Sequence, residues 1–242
     1  MIQQSKAKIF LAEDRGLNEN KHSRSLHTFN FGNYFNKHKT PFNDIYGIND
    51  NTLDGGRSLS LLVQQCSYII LLPVIGAVNY KDSLGNENVV AAGQVQIHTV
   101  DKDVTIEITN PFKEHLVNFF QIWIKASAFP LHVIAFTDSY DVNKKFNSLV
   151  NIIPININEA TLPFKVSVGK FNGRGETAYQ LQDIKSGAFI FVLEGAFEIE
   201  GRLLHARDGL AIWETTVIEM EALSNDAILL LIETLSNKNQ MH

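Results

Sequence analysis

Few residues in this chain have both the type and the spacing for chemistry. Cys66 is the one cysteine. A thiol acts as a nucleophile only when a helix N-terminus or a basic neighbour lowers its pKa. Neither is visible around VQQCSY, and free cysteines more often pack as small apolar groups. The run NGRGE at 172–176 has the glycines of a phosphate loop but no Lys-Ser/Thr after them, so it reads as a hairpin turn. Glu194 and Glu198 share a strand parity, but no histidine accompanies them, and His205 comes only after a further turn. His115 and His132 read as surface or strand-edge residues. No Ser/His/Asp arrangement or paired carboxylate follows from spacing alone.

The elements that must position these residues are strands. SYIILLPVIGAVNY, VTIEIT, NFFQIWI, FIFVLEGAFEIEG and AILLLIETL are short runs of Ile, Val, Phe and Leu. Turn residues separate most of them: DSLGN at 82–86, DKD at 101–103, Gly201 and Asp208-Gly209. Strands at this spacing predict an all-β sandwich or barrel. No long amphipathic helix is evident. The stretch 143–160 reads as connector or as one or two helical turns.

A length of 242 residues allows one large domain or two small ones. With 21 Lys and Arg against 26 Asp and Glu, the net charge is -5, and no basic block offers a footprint for nucleic acid or an anionic membrane. A lone cysteine forms no internal disulfide, so a reducing, cytoplasmic setting is the expectation. The start MIQQSKAKIF lacks a signal-peptide core, and no apolar run is long enough for a membrane helix.

The chain also repeats itself. LPVIGAVN from Leu72 and FVLEGAFE from Phe191 place Gly-Ala at the same point, 119 residues apart. A second glycine opens an apolar strand in each copy, Gly93 in GQVQI and Gly209 in GLAIW, 116 residues apart. Offsets near half the length predict two tandem β-barrels.

Strands meeting at glycine corners with paired inward positions resemble cupin barrels. Four segments then resemble the pirin family in its order: HTFNFGNYFN at 27–36, KDSLGN at 81–86, FQIWI at 120–124 and DGLAIW at 208–213. The resemblance implies a bicupin, with two antiparallel jelly-roll barrels. The expected layout is an N-terminal barrel with its signature segment over 1–140, a connector over 141–160 and a C-terminal barrel over 161–242. Family members hold one metal in the N-terminal barrel; some oxidise quercetin, and others act as nuclear cofactors. His27 matches a family position and is expected to fix the N-terminal segment by a hydrogen bond.

The family's metal pattern is His-x-His followed further on by His-x-Glu, each pair sharing one strand face. Counted back from DSLGN, the first pair falls on Leu62 and Gln64; counted forward from Gly93, the second falls on Ile106 and Ile108. Leucine and isoleucine have no lone pair, and one neutral amide does not hold a transition metal. A slipped alignment does not restore the site, since residues 53–75 hold no histidine and Glu107 is the only glutamate in 99–113. The nearest imidazole, His98, lies on the preceding strand and reads as satisfied or exposed.

On this reading Leu62, Gln64, Cys66 and Tyr68 alternate onto one face, with Ile106 and Ile108 approaching from the opposite strand. They either fill the barrel as ordinary core or line a dry, metal-free pocket for an apolar or aromatic small molecule. No cofactor and no metal are expected. Three functions follow in order: a non-catalytic binding or interaction module, a metal-independent enzyme on a hydrophobic small molecule, and a quercetin dioxygenase with a relocated metal.

Overall fold

The computed structural model describes residues 5–126 and 134–235. Apart from one 3-10 turn, Ala12–Asp14, its regular elements are strands, and the paired strands of the two barrels run antiparallel. The chain divides into two compact units.

The first unit holds residues 15–140 with 158–160. Its larger sheet has seven strands in the order Ala135–Ser139, Gln94–Val100, Ser67–Ile75, Val117–Lys125, Ile45–Leu53, Ser23–His27 and Gly16–Glu19. The smaller sheet runs Ser58–Leu62, Thr105–Thr109, Ala77–Asp82, Glu87–Ala91. Sequence pattern explains the difference between them. Residues 119–124, FFQIWI, are buried on both faces of their strand, as a run that is apolar apart from Gln121 leads one to expect. In Thr105–Thr109 the period is two: Ile106 and Ile108 are buried while Thr105 and Glu107 are exposed. Between the sheets Leu53, Val63, Ile69, Leu71, Val78, Tyr80, Ile106, Ile108, Phe119 and Trp123 form one core.

The second unit repeats the plan. Six strands run Lys6–Phe10, Gly209–Trp213, Gly187–Glu194, Ala227–Thr234, Phe164–Phe171, Ser148–Asn151, with Glu176–Gln180, Val217–Ala222, Ala196–Ile199, Arg202–His205 as the smaller sheet. The repeat glycines take the same part in both units. Gly76 and Gly195 have φ of +79° and +81°, turning the chain between consecutive strands in a region that glycine enters without strain. Glu194 and Glu198 therefore stand on two strands with Gly195 between them, not on one. NGRGE connects Phe164–Phe171 to Glu176–Gln180, with Arg174 at positive φ.

The expected domain limits need correction. Lys6–Phe10 does not join the N-terminal barrel; it pairs with Gly209–Trp213 at the edge of the second unit's sheet. Phe10 is buried there with its ring 5.5 Å from that of Phe189. The stretch 141–160 is more than connector, because Ser148–Asn151 pairs with Phe164–Phe171 as the opposite edge of that sheet. Each edge strand covers backbone groups that would otherwise be open. Among the described residues no helix is long and apolar enough to cross a membrane. His132 lies outside the described residues.

Candidate ligand recess in the first barrel

One end of the first barrel opens into a recess of about 590 Å3. Its walls are mainly rings: Phe31, Tyr34, Phe35, Tyr46 and Trp123, with Leu61, Leu62 and Gln64. Trp123 projects from the inward face of Val117–Lys125 and is 2% exposed. Its neighbour across the ladder is Gly47, where a Cβ would stand 3.0 Å from the Trp123 side chain and 3.1 Å from the Phe31 ring. Glycine there leaves room for both rings. The ladder slips between Trp123 and Ile124, which leaves Tyr46 outside the pairing.

The rings meet at tilted angles. Phe31 and Tyr46 lie 5.2 and 6.1 Å from Trp123, at 55° and 59°, within the range aromatic pairs prefer. Behind them His27 stacks on Phe31 at 5.5 Å and Tyr34 at 6.3 Å, and its Nδ1 is 2.8 Å from Asn49 Oδ1. Burial lowers the His27 pKa, opposed by the bond to Asn49. The Tyr46 hydroxyl lies 2.6 Å from Ser67 Oγ; burial raises its pKa more than that contact lowers it. These surfaces offer ring faces and neutral hydrogen-bonding groups.

The residues expected to share one inward face do not. Ile106 and Ile108 are fully buried in the core. Their partners across the ladder are Leu61 and Leu59, so Leu62 takes the other parity and is 58% exposed. Strand pairing ends at Leu62 and resumes at Ser67, yet Leu59, Leu61 and Val63 on one side and Ile69 and Leu71 on the other all pack into the core, so odd positions face inward throughout and Leu62 and Tyr68 do not. Gln64 is exposed on that crossing. Leu62 and Gln64 thus line the recess from its rim, not from inside the barrel. Cys66 is half-buried, with its thiol 3.5 Å from Asp101 Oδ1. Tyr68 is buried on the sheet face opposite Ile69 and Leu71.

The four residues on which the family pattern falls by counting, Leu62, Gln64, Ile106 and Ile108, offer no donor set for a metal ion. Two are aliphatic groups packed in the core, one is an aliphatic group on the rim, and one is an exposed amide. Among the described residues no cluster of three or more His, Cys, Asp or Glu could hold one.

His98 is neither satisfied nor exposed. It is buried at 5% exposure, stacked 4.0 Å from Tyr80 at 8°, and its Nε2 has no hydrogen-bond partner among the described residues. Burial lowers its pKa to about 4, against a smaller opposing pull from Asp82. Tyr80 donates to Asp82 Oδ2 at 3.2 Å. The corresponding place in the second barrel is occupied differently. Trp123 pairs opposite Ile69, and Glu233 pairs opposite Ala188, which lies 119 residues beyond Ile69. Glu233 is fully buried and accepts from Lys165 Nζ at 3.2 Å, Tyr179 Oη at 2.9 Å and Gln182 N at 2.6 Å. Those three bonds satisfy the carboxylate.

Phe31, Tyr34, Tyr46 and Trp123 were not legible as a site. FQIWI and HTFNFGNYFN identify a family resemblance, but nothing in their spacing brings them together.

Two antiparallel barrels in one chain define a bicupin. Residues 11–124 match the family model Pirin, and residues 163–234 match that of the quercetinase C-terminal cupin domain. The chain belongs to the pirin family. It is 24% identical over 225 residues to a quercetin 2,3-dioxygenase of Escherichia coli strain K12, covering 90% of this chain and 95% of that one. A pirin-like protein of Caulobacter vibrioides is 26% identical over 220 residues, covering 87% and 91%. In fold the chain is similar to the E. coli bacterial pirin YhhW in complex with nickel(II), at TM-score 0.82 and 22% identity over 96% of this chain and all of that one.

Proposed function

We propose that the first barrel binds an apolar or aromatic small molecule without a metal, and that this chain is a binding or interaction module and not a catalyst. The observation that carries the reading is the recess itself. Five aromatic side chains line it, while the inward positions of the family's second ligand pair are packed aliphatic core. A flat apolar molecule gains ring contacts of about 1 kcal/mol each there, beyond the area it buries. The family metal site is lost on this reading, and Ile106 and Ile108 stand as core.

Relatives named quercetin 2,3-dioxygenase support a second, catalytic reading, and one experiment separates the two. Protein purified without an affinity tag is assayed for metal by mass spectrometry and for oxygen uptake with quercetin. In parallel, naphthalene is titrated against Trp123 fluorescence in a Trp213→Phe background. The expected result is no stoichiometric transition metal, no turnover, and saturable quenching that Tyr46→Ala weakens about tenfold. A stoichiometric first-row metal with oxygen uptake overturns the proposal in favour of the dioxygenase.

A further inference from the structure

Beneath the rings, the inner face of the seven-stranded sheet carries a row of neutral polar side chains. The pairing register sets the row: Gln96 stands opposite Leu71, Leu71 opposite Gln121, Gln121 opposite Asn49, and Asn49 opposite His27. Residues paired across a ladder point to the same face, here the face of the core residue Leu71. Gln96 and Gln121 are fully buried and Asn49 is 1% exposed. Among the described residues Gln121 Nε2 and Oε1, Gln96 Oε1, Asn49 Nδ2 and Trp123 Nε1 find no hydrogen-bond partner. Buried amides without partners are rare, and so many in one place call for an occupant.

Two contacts tie the row to the recess. Trp123 belongs to both, two residues along the same strand face from Gln121. His27 stacks on Phe31 and Tyr34 of the wall. Phe31 sits on the segment between the strands Ser23–His27 and Ile45–Leu53, where its ring touches both His27 and Trp123. The separation of Trp123 and Gln121 along the strand is about 6.6 Å, comparable with the full length of a two-ring molecule that carries a hydroxyl.

We infer that this row is the specificity element of the recess, and that Gln121 and Gln96 recognise an uncharged group that both donates and accepts a hydrogen bond, such as a hydroxyl or carboxamide, on the ring system bound above. The inference rests on the proposed recess. The donors and acceptors are amides and an indole N–H, with no formal charge to pair with an anion or a cation. A carboxylate entering here would lose its hydration without a counter-charge. A hydroxyl recovers in hydrogen bonds what it loses in water, and it relieves the unpaired amides.

The test uses the full chain in the Trp213→Phe background with three probes: naphthalene, 2-naphthol and 2-naphthoate. The expected order is 2-naphthol about tenfold tighter than naphthalene, with 2-naphthoate weakest. In a purely apolar pocket the hydroxyl would weaken binding, so this order is diagnostic. Gln121→Met and Gln96→Met keep side-chain volume; each should erase the advantage of 2-naphthol over naphthalene. If naphthalene binds and 2-naphthol binds no better, or its advantage survives in a folded Met variant, the row is filled by structural water and the inference falls alone. If naphthalene does not bind the unmodified recess, the recess reading falls and takes the inference with it.

Discussion

His98 holds its imidazole where a proton is costly to accept. The ring is buried against Tyr80, and its pKa falls to about 4 from an ordinary value near 6.5. The folded state therefore binds fewer protons than the unfolded one between those values. The stabilisation is fully present above pH 6.5 and is lost as pH falls through 4. The gap corresponds to about 3 kcal/mol. Urea unfolding at pH 7 and pH 4 should show this loss in the parent protein. In His98→Gln the loss should shrink by about that amount; an unchanged pH slope would mean that the imidazole titrates normally in the fold. Period two made the inward parity of Ile106 and Ile108 legible, because Thr105 and Glu107 alternate with them. The same count failed at Leu62, because parity counted back from DSLGN crosses the Gly76 corner, where the inward residues change from the even Val78 and Tyr80 to the odd Leu71 and Ile69. His98 was misread for a different reason: a single polar residue in a strand shows its parity but not what it will stack on.

Corner glycines decide how consecutive strands meet, and the two repeat copies differ in how tightly they do so. At Gly76 a Cβ would lie 2.8 Å from Val117 Cγ1, a side-chain atom. At Gly195 it would lie 2.4 Å from Ser224 Oγ, 2.8 Å from Ala227 Cβ and 3.0 Å from Ala227 Cα, so backbone must shift as well. Both sites also carry the left-handed backbone cost, about 1–2 kcal/mol. Gly76→Ala is expected to cost about 2 kcal/mol and Gly195→Ala about 3 or more by denaturant midpoint. Equal losses would mean that the contact at Ala227 relaxes freely. The strand–glycine–strand unit was the most legible element in the chain, since glycine and β-branched runs are local signals. The recess was not. Phe31 and Tyr34 come from an aperiodic segment, and Tyr46 stands at a ladder slip, so no spacing rule joins them to Trp123.

At the scale of the whole molecule, the outer strands of the second barrel come from outside the segment that its pattern marks. KAKIF carries no signal naming Gly209–Trp213 as its partner, which is why a boundary drawn from composition misses it. A fragment of residues 161–242 lacks two of the six strands of the larger sheet. It should aggregate or melt well below the intact chain, since it exposes two new edges and the site of Phe10, whose truncation to alanine alone costs about 3–5 kcal/mol. Residues 141–242 preceded by residues 1–14 on a flexible linker should recover a cooperative melt by circular dichroism; recovery by 161–242 alone would refute the crossed-strand arrangement. The same crossing has a meaning in time. Lys6–Phe10 leaves the ribosome almost 200 residues before Gly209–Trp213, a wait of about 10–40 s at ordinary translation rates. Through that interval the earliest strand made has no sheet to join, and the contact that secures it is among the last to form. A nascent chain released before Gly209 is thus marked at its own beginning, by an unpaired strand open to chaperones and proteases.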